Sequence, residues 1–436
     1  MKVLKFGGTS VGSAERIRNV AGLVSDGERK IIVLSAMAGT TNSLEEITRF
    51  LYKKDNEGAN LIVDELEKKY LKTCYELYST SEYKNKGYDI VASYMEHIRS
   101  FTVDMFTVYE EKAILAQGEL LTTALFYYYM KEQGKSAALL PALDYMRINP
   151  KNEPDTIYIE KNIKSLLEKN NTEEVLITQG YICRNAFGEI DNLQRGGSDY
   201  TASLIGAAIK AEEIQIWTDI DGMHNNDPRV VEGTRSISEL SFDEAAELAY
   251  FGAKILHPTS VLPAKLANIP VRLLNTLEPE APGTLISSKQ DKNRITAVAA
   301  KDNITAIKIK SGRMLLAHGF LRKVFEIFES YKTPIDMITT SEVGVSVTID
   351  DDTYLDEIVT DLNKYGTVHV DKDQVIVCVV GDLVAENKGY AYKILEAVKH
   401  VPLRMISYGG SNYNVSLLIN AKDKESALKA LSDKLF

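Results

Sequence analysis

Two short glycine loops in this chain each carry a cation. The first, Lys5-Phe6-Gly7-Gly8-Thr9-Ser10, directly follows an apolar run. Glycine lets a backbone approach a ligand closely, and successive N–H groups hold an anion. A lysine just before them adds the charge that a polyphosphate needs. The loop is neither the GxxxxGK[ST] phosphate loop nor GxGxxG, and a tight strand-to-helix turn with a solvated lysine is the plainer reading. The second loop, Arg195-Gly196-Gly197-Ser198-Asp199, precedes a helical stretch at 201–210. Helix N-termini bind anions and arginine grips carboxylates with two parallel bonds. Capping the helix accounts for Ser198 or Asp199, but not for the Arg-Gly-Gly before them.

Other candidates are weaker singly. Trp217-Thr218-Asp219 closes an apolar run, and ligands of open α/β sheets gather at the carboxyl ends of strands. Asp227-Pro228-Arg229 reads as a proline turn with a surface arginine, and Lys254 either reaches a phosphate or is solvated. Glu119 lies in a helical stretch, where a lone glutamate is ordinarily at the surface. The six histidines lack metal-ligand spacing, and no Ser/His/Asp or Cys/His set stands out. Cys74, Cys183 and Cys378 are far apart with no CxxC pair, which argues against a disulfide framework or zinc site and for a reducing compartment.

The elements that must position these residues alternate. Runs at 1–6, 31–35, 175–178 and 214–218 are continuously apolar, with a helical pattern at 14–25, as expected of parallel strands covered on both faces. Residues 42–130 are helical by pattern, and read as an all-helical insertion. A turn at 185–188 predicts a hairpin across 183–193. Ser241 and Glu244 fit a capping box for a helix that Gly252 stops. Pro, Gly, Ser and charge concentrate at 278–294, the expected domain boundary. Beyond it a strand–helix–strand–strand unit occurs twice. One helix begins at Gly319, with Leu321, Val324, Phe325 and Phe328 on one face. The other begins at Gly389, with Ala391, Ile394, Leu395 and Val398. Each leads to a Met-Ile pair (337–338 and 405–406) and an alternating strand (343–349 and 413–419). Two copies are too few for a solenoid and predict a paired small α/β module.

Length and charge bound the rest. The 436 residues argue for two to four domains. The net charge, 51 − 61 = −10, disfavours nucleic acid and anionic membranes as partners. No run of about 18 apolar residues predicts a membrane span, and no signal-peptide core follows the N-terminus. The expectation is a cytoplasmic protein.

Together the pieces are far more specific. KFGGTSVG at 5–12, LSAMAGTTN at 34–42, QGE at 117–119, RGGSD at 195–199, WTDIDGMHNNDPR at 217–229 and ELAYFGAKILHP at 247–258 follow the order seen in aspartokinases. The resemblance covers essentially the whole chain. The helical insert and ITTSEVGVSVTID at 338–350 make it most similar to lysine-sensitive, monofunctional bacterial forms. It implies an amino-acid-kinase α/β/α sandwich at 1–290, with the insert at about 42–130. A tandem ACT-like, ferredoxin-like α+β regulatory region would follow at 291–436. There a module at about 312–375 would be inserted within a second made of 300–311 plus 376–436, with residues 304–310 in the second module's sheet.

The implied reaction is ATP plus L-aspartate giving ADP and 4-phospho-L-aspartate, the first step toward lysine, methionine and threonine. By the resemblance Lys5 and Lys254 bracket the ATP phosphates with Mg²⁺, and Gly7 and Gly8 stabilise the transferring phosphoryl. Arg195, with Gly196 and Gly197, binds an aspartate carboxylate. Glu119 and Asp199 meet its ammonium, and Ser35, Thr41 and Ser198 bond its oxygens. Thr218, Asp219, His224, Arg229 and Ile255 hold the nucleotide. No protein-held metal site is implied. An amino-acid effector, lysine first and threonine second, would sit among Met314, Ala317, Phe320, Leu321, Asp336, Ser341 and Glu342. A homodimer or dimer of dimers would form through the ACT region. This chain departs from the family at His224, where tyrosine is common, and at Ala317, His318 and Pro334 near the effector site. Two competing readings are a different amino-acid kinase, and a non-catalytic amino-acid sensor with a decayed kinase domain.

Overall fold

A computed structural model describes residues 1–102, 106–193, 196–252, 256–289, 294–311, 318–381 and 388–436. The chain divides into two compact units. One comprises Met1–Met223, Ser238–Phe242 and Leu256–Lys289, the other His224–Ile237, Asp243–Ile255 and Gln290–Phe436. No helix among the described residues is long and apolar enough to cross a membrane.

The first unit is built on an eight-stranded sheet. Its strands are β1 (Lys2–Phe6), β2 (Lys30–Leu34), β3 (Ala137–Leu139), β4 (Val175–Gln179), β7 (Ile214–Thr218), β8 (Glu239–Ser241), β9 (Val271–Asn275) and β10 (Thr284–Ser287). The hairpin expected at 183–193 forms from β5 (Ile182–Arg184) and β6 (Ile190–Asn192). The sheet runs β3-β4-β2-β1-β7-β9-β10-β8, parallel from β3 to β9. Every residue of β2 and β4 is buried, which explains their unbroken apolar runs. Phe6 pairs with Leu34 on one side and Trp217 on the other, so β1, β2 and β7 end level. The stretch at 278–294 is more than a linker, because β10 pairs within it to β9 and β8.

Helices Thr40–Tyr52, Asn56–Leu77, Ser81–Ser100 and Val108–Glu132 occupy the stretch read as a helical insertion. The last starts from a capping box, Thr107 with Glu110. It is buried on nearly all sides between Ile114 and Phe126, as a helix threaded through a core must be. The fully buried Tyr70 shares its hydroxyl with Thr40 (2.9 Å) and Thr122 (3.4 Å).

In the second unit β11 (Ile295–Lys310), β12 (Ile338–Ser341), β13 (Gly344–Ile349), β14 (Thr367–Gly381), β15 (Met405–Tyr408) and β16 (Asn414–Asn420) form one antiparallel sheet, β12-β13-β11-β14-β16-β15. Two βαββαβ modules share it, because β11 and β14 run through both. Here the expected pairing is corrected. Residues 304–310 pair with β13 and the first part of β14, inside the first module, whereas residues 295–301 close the second. Register shifts between Lys301 and Ala306 separate the two halves of β11. A shift of this kind changes which face a side chain takes, so alternation alone misassigns the strand. The helix Phe320–Ser330 buries Phe320, Val324, Ile327 and Phe328. Leu321 and Phe325, expected inside, are 37% and 41% exposed, and Leu395 in the matching helix is 38% exposed. Both helices carry more apolar residues than their sheet covers.

Gly180, directly after β4, supports the site through its missing side chain. A Cβ there would meet Ser198 Cβ and Oγ at 2.3 Å and its backbone Cα at 2.8 Å. Gly180→Ala must push the helix Gly197–Ile209 away, and overpacking of this kind costs about 1–3 kcal/mol. Gly22→Ala, in the helix Ala14–Val24 with nothing within 4 Å of the added carbon, should stabilise by about 0.5–1 kcal/mol. Melting curves should show the first variant unfolding below wild type and the second at or above it.

Candidate active site

Lys5 points from β1 toward the helix Gly197–Ile209, and its Nζ lies 2.6 Å from Asp199 Oδ1. Both side chains are largely buried, 13% and 16% exposed. A carbon built on Gly7 would be 3.6 Å from that Nζ, so the ammonium sits over the glycine backbone. The Gly7 N–H itself donates to the Trp217 carbonyl (3.3 Å) and continues the sheet.

The loop after β2 is fixed at each N–H. Ser35 donates to the Phe6 carbonyl (3.2 Å) and Ala38 to the Gly8 carbonyl (3.1 Å). Ala36 donates to Glu119 Oε1 (3.2 Å) and Met37 to Thr122 Oγ1 (3.0 Å). A Cβ on Gly8 would lie 2.7 Å from the Ala36 carbonyl oxygen, so no other residue fits this crossing. Ser35 Oγ donates to Ser198 Oγ at 2.8 Å, joining this loop to the Gly197–Ile209 helix. Gly196 caps that helix in the left-handed region at φ +84° and Gly197 begins it. Thr41, half-buried, is the second residue of the helix Thr40–Tyr52.

Glu119 is 5% exposed, and burial pushes its carboxyl up to about 7, against the pull of the Ala36 N–H. Relative to its ordinary 4.5, keeping it ionised costs the fold roughly 3 kcal/mol. The stability is complete below the ordinary value and is lost as pH rises through the raised one. The glutamate read from sequence as a plausible surface residue is therefore a core acid facing the loop.

At the end of β7, Thr218 Oγ1 donates to Asp219 Oδ1 (3.1 Å), and its carbonyl accepts from Thr276 N and Oγ1, both at 2.8 Å. Thr276 Oγ1 is 3.2 Å from Ser10 Oγ in the first glycine loop. Sequence reasoning named Ser10 only as part of the first glycine loop and missed Thr276 and Lys69. Lys69, on the helix Asn56–Leu77, donates from Nζ to the Ala38 carbonyl (2.5 Å), and burial pulls its ammonium below the ordinary lysine range. It stands in a lysine-rich helix (Lys68, Lys69, Lys72) and carries no sequence signal of its own.

The remaining candidates belong to the second unit. His224 Nδ1 is 3.0 Å from Thr234 Oγ1. Arg229 is 85% exposed and forks onto Asp227 at 2.9 and 2.8 Å; that hydrogen-bonded guanidinium holds the Asp227 carboxyl below its usual range despite partial burial. Their loop is folded into this unit. Asn226 Nδ2 donates to the Leu428 carbonyl (3.1 Å), Val298 N to the Asn225 carbonyl (2.8 Å), and Val231 joins the core beneath β14 and β16. Of the effector candidates, Phe320 is buried, Ser341 Oγ approaches the Gly344 carbonyl (3.4 Å) and Glu342 is exposed. Asp336 is buried and accepts from Lys301 and Tyr250. Arg195, Lys254, Ile255, Met314 and Ala317 lie outside the described residues. Among the described residues no three His, Cys, Asp or Glu gather as metal ligands, and the three cysteines are buried free thiols.

The geometry brings a largely buried lysine and its carboxylate together with two strand-end loops that are joined through Ser35 and Ser198. Comparison with known proteins identifies the family. Residues 1–275 match the amino acid kinase family and residues 377–435 an ACT domain. The chain is 32% identical to lysine-sensitive aspartokinase 3 of Escherichia coli, covering 100% of this chain and 99% of that protein. It is 33% identical to the chloroplastic aspartokinase 3 of Arabidopsis thaliana, covering 100% and 81%. A crystal structure of E. coli aspartokinase III in complex with aspartate and ADP has a TM-score of 0.85 at 31% identity, with both chains fully covered. Aspartate kinase from Clostridium acetobutylicum gives 0.86 at 28%, again over both whole chains. With relatives of one kind matching it from end to end, the chain belongs to the aspartokinases of the amino acid kinase family.

Proposed function

We propose that the Lys5 centre carries transfer of the γ-phosphoryl of ATP to the side-chain carboxylate of L-aspartate. The observation behind this reading is a buried lysine held at 2.6 Å by Asp199 at the mouth of a two-glycine loop. An aspartate carboxylate, with an ordinary value of about 3.9, is already ionised at neutral pH. No base has to deprotonate it. The barrier is instead the approach of one anion to another, so positioned positive charge does most of the work.

In this reading Lys5, with Lys254, neutralises the phosphates and the developing charge. Asp199 fixes the lysine's direction and, with Glu119, receives the ammonium of aspartate. Arg195, Gly196 and Gly197 take its α-carboxylate, while Ser35, Thr41 and Ser198 orient the attacking oxygens. Gly8 brings its backbone N–H to the phosphoryl, whereas the Gly7 N–H is taken by the Trp217 carbonyl and Gly7 serves by letting the backbone come close. Thr218, Asp219, His224, Arg229 and Ile255 hold the nucleotide. Mg²⁺, when bound, screens the charge of the β- and γ-phosphates. It binds mainly through substrate oxygens and one or two carboxylates, and Asp219, exposed at the end of β7, is a donor of that kind. A decayed, sensor-only domain is disfavoured because Lys5 still pairs with Asp199, Ser35 Oγ with Ser198 Oγ, and Glu119 with the Ala36 N–H. A coupled assay with ATP, Mg²⁺ and aspartate tests the reading, and turnover of glutamate instead would contradict it.

The regulatory half is read as a cytoplasmic feedback device. Lysine, with threonine second, would occupy the region of Met314, Ala317, Phe320, Leu321, Asp336, Ser341 and Glu342. A homodimer, or a dimer of dimers, would form through the ACT region. Leu321, Phe325, Ile338 and Val343, each 37–50% exposed, supply an apolar surface for it.

Two outcomes follow. The kcat/KM for aspartate reports groups of the free enzyme. Glu119 must be ionised to hold an ammonium, so kcat/KM should fall roughly tenfold per pH unit below about 7. Glu119→Gln should be weaker throughout and flat over that range; a wild-type profile in the variant would remove Glu119 from the aspartate site. Separately, Phe325→Glu should shift the mass measured by light scattering from dimer or tetramer to a smaller species, because a charge is buried poorly in an apolar interface.

A further inference from the structure

Among the described residues, the second unit holds a charge cluster with two carboxylates and one ammonium. Lys301 Nζ lies 2.7 Å from Asp336 Oδ1 and 2.8 Å from Asp350 Oδ2. The Tyr250 hydroxyl donates to the same Asp336 oxygen (2.9 Å), and its ring centre is 4.5 Å from the ammonium. Two carboxylates share one ammonium where the Asp336 side chain is only 1% exposed. The other Asp336 oxygen, Oδ2, is buried and has no hydrogen-bond partner among the described residues. Such an orphaned acceptor is costly and calls for a donor. Burial pushes the Asp336 carboxyl upward, with Lys301 opposing.

We infer that this cluster is an ammonium-exchange site, in which the effector's ammonium takes Asp336 and Lys301 withdraws to Asp350. The inference rests on the effector reading above, which brings an amino-acid ammonium to Asp336. Lys301 already touches Asp350, so exchange needs a shift of one side-chain head and no new partner. Afterwards two ammonium groups face two carboxylates, the cluster is neutral, and Asp336 has a donor for its orphaned oxygen. Asp350 then sets effector affinity without holding the effector, by giving Lys301 somewhere to go. Tyr250 ends the helix Phe242–Tyr250, so whatever replaces Lys301 on Asp336 acts on that helix through one hydrogen bond. A static structural ion pair makes no such demand on Asp350.

The test is calorimetric titration of L-lysine into the full-length protein as wild type, Asp350→Asn and Lys301→Arg. The first variant removes the retreat. The second keeps the charge and the fold, but its planar fork spans both carboxylates and resists displacement. Exchange predicts that both bind lysine about tenfold more weakly than wild type, with turnover in the absence of lysine unchanged. Melting curves without lysine confirm that each is folded. If folded Asp350→Asn or Lys301→Arg binds lysine as tightly as wild type or tighter, while Asp336→Asn loses binding, the exchange is wrong and the effector site stands. Wild type that binds no lysine overturns both.

Discussion

The ion pair between Lys5 and Asp199 is the contact on which the site depends. It joins the end of the central strand to the start of a helix, through residues 194 positions apart in the chain (199 − 5), and it holds an ammonium in place with little water around it. Burying that charge is tolerable only because its partner is buried with it, since an unpaired buried charge is far more costly than a pair. In the proposed mechanism the same ammonium meets the transferring phosphoryl. Everything nearby serves to bring the two residues together. The parallel sheet ends β1, β2 and β7 level, the crossing of Gly8 over Ala36 locks two loops, and Gly180 lets Ser198 approach β4.

The same site stores a cost. Glu119 is buried, and the loss of water raises its proton affinity although the Ala36 N–H donates to it at 3.2 Å. A fold selected for stability alone would place an apolar residue on this helix. A buried acid with a value near neutrality is instead suited to a cationic substrate group, whose arrival would favour its charged form. Lys69 is a counterpart, a partly desolvated ammonium on the carbonyl of Ala38, so the loop after β2 is held by a carboxyl on one side and an ammonium on the other.

Much of this was legible in the sequence where the signal is local. The glycine loops, the apolar strands, the hairpin and the helical stretch at 42–130 follow from residue types within a few positions of each other, and the ordered motifs named the family. What was not legible depends on long-range register. Nothing local pairs Lys5 with Asp199 or selects Lys69 from its lysine-rich helix. The irregularity in β11 between Lys301 and Ala306 reassigned residues 304–310, because periodicity reads a strand as unbroken. Leu321 and Phe325 fit a buried face by spacing, yet the sheet covers the neighbouring stripe. Asp336 and Glu342 looked equivalent as loop acids. Only the fold separates a buried, lysine-paired carboxylate from an exposed one.

In the proposed mechanism the Lys5 charge, held by Asp199, lowers the barrier to phosphoryl transfer. Steady-state turnover of Lys5→Ala with saturating ATP, Mg²⁺ and aspartate tests it most directly, with circular dichroism to confirm the fold. A preorganised charge of this kind is worth about 10²–10³ in rate, so kcat should fall by that factor while the spectrum stays that of wild type. A folded Lys5→Ala protein that turns over at the wild-type rate would contradict the account.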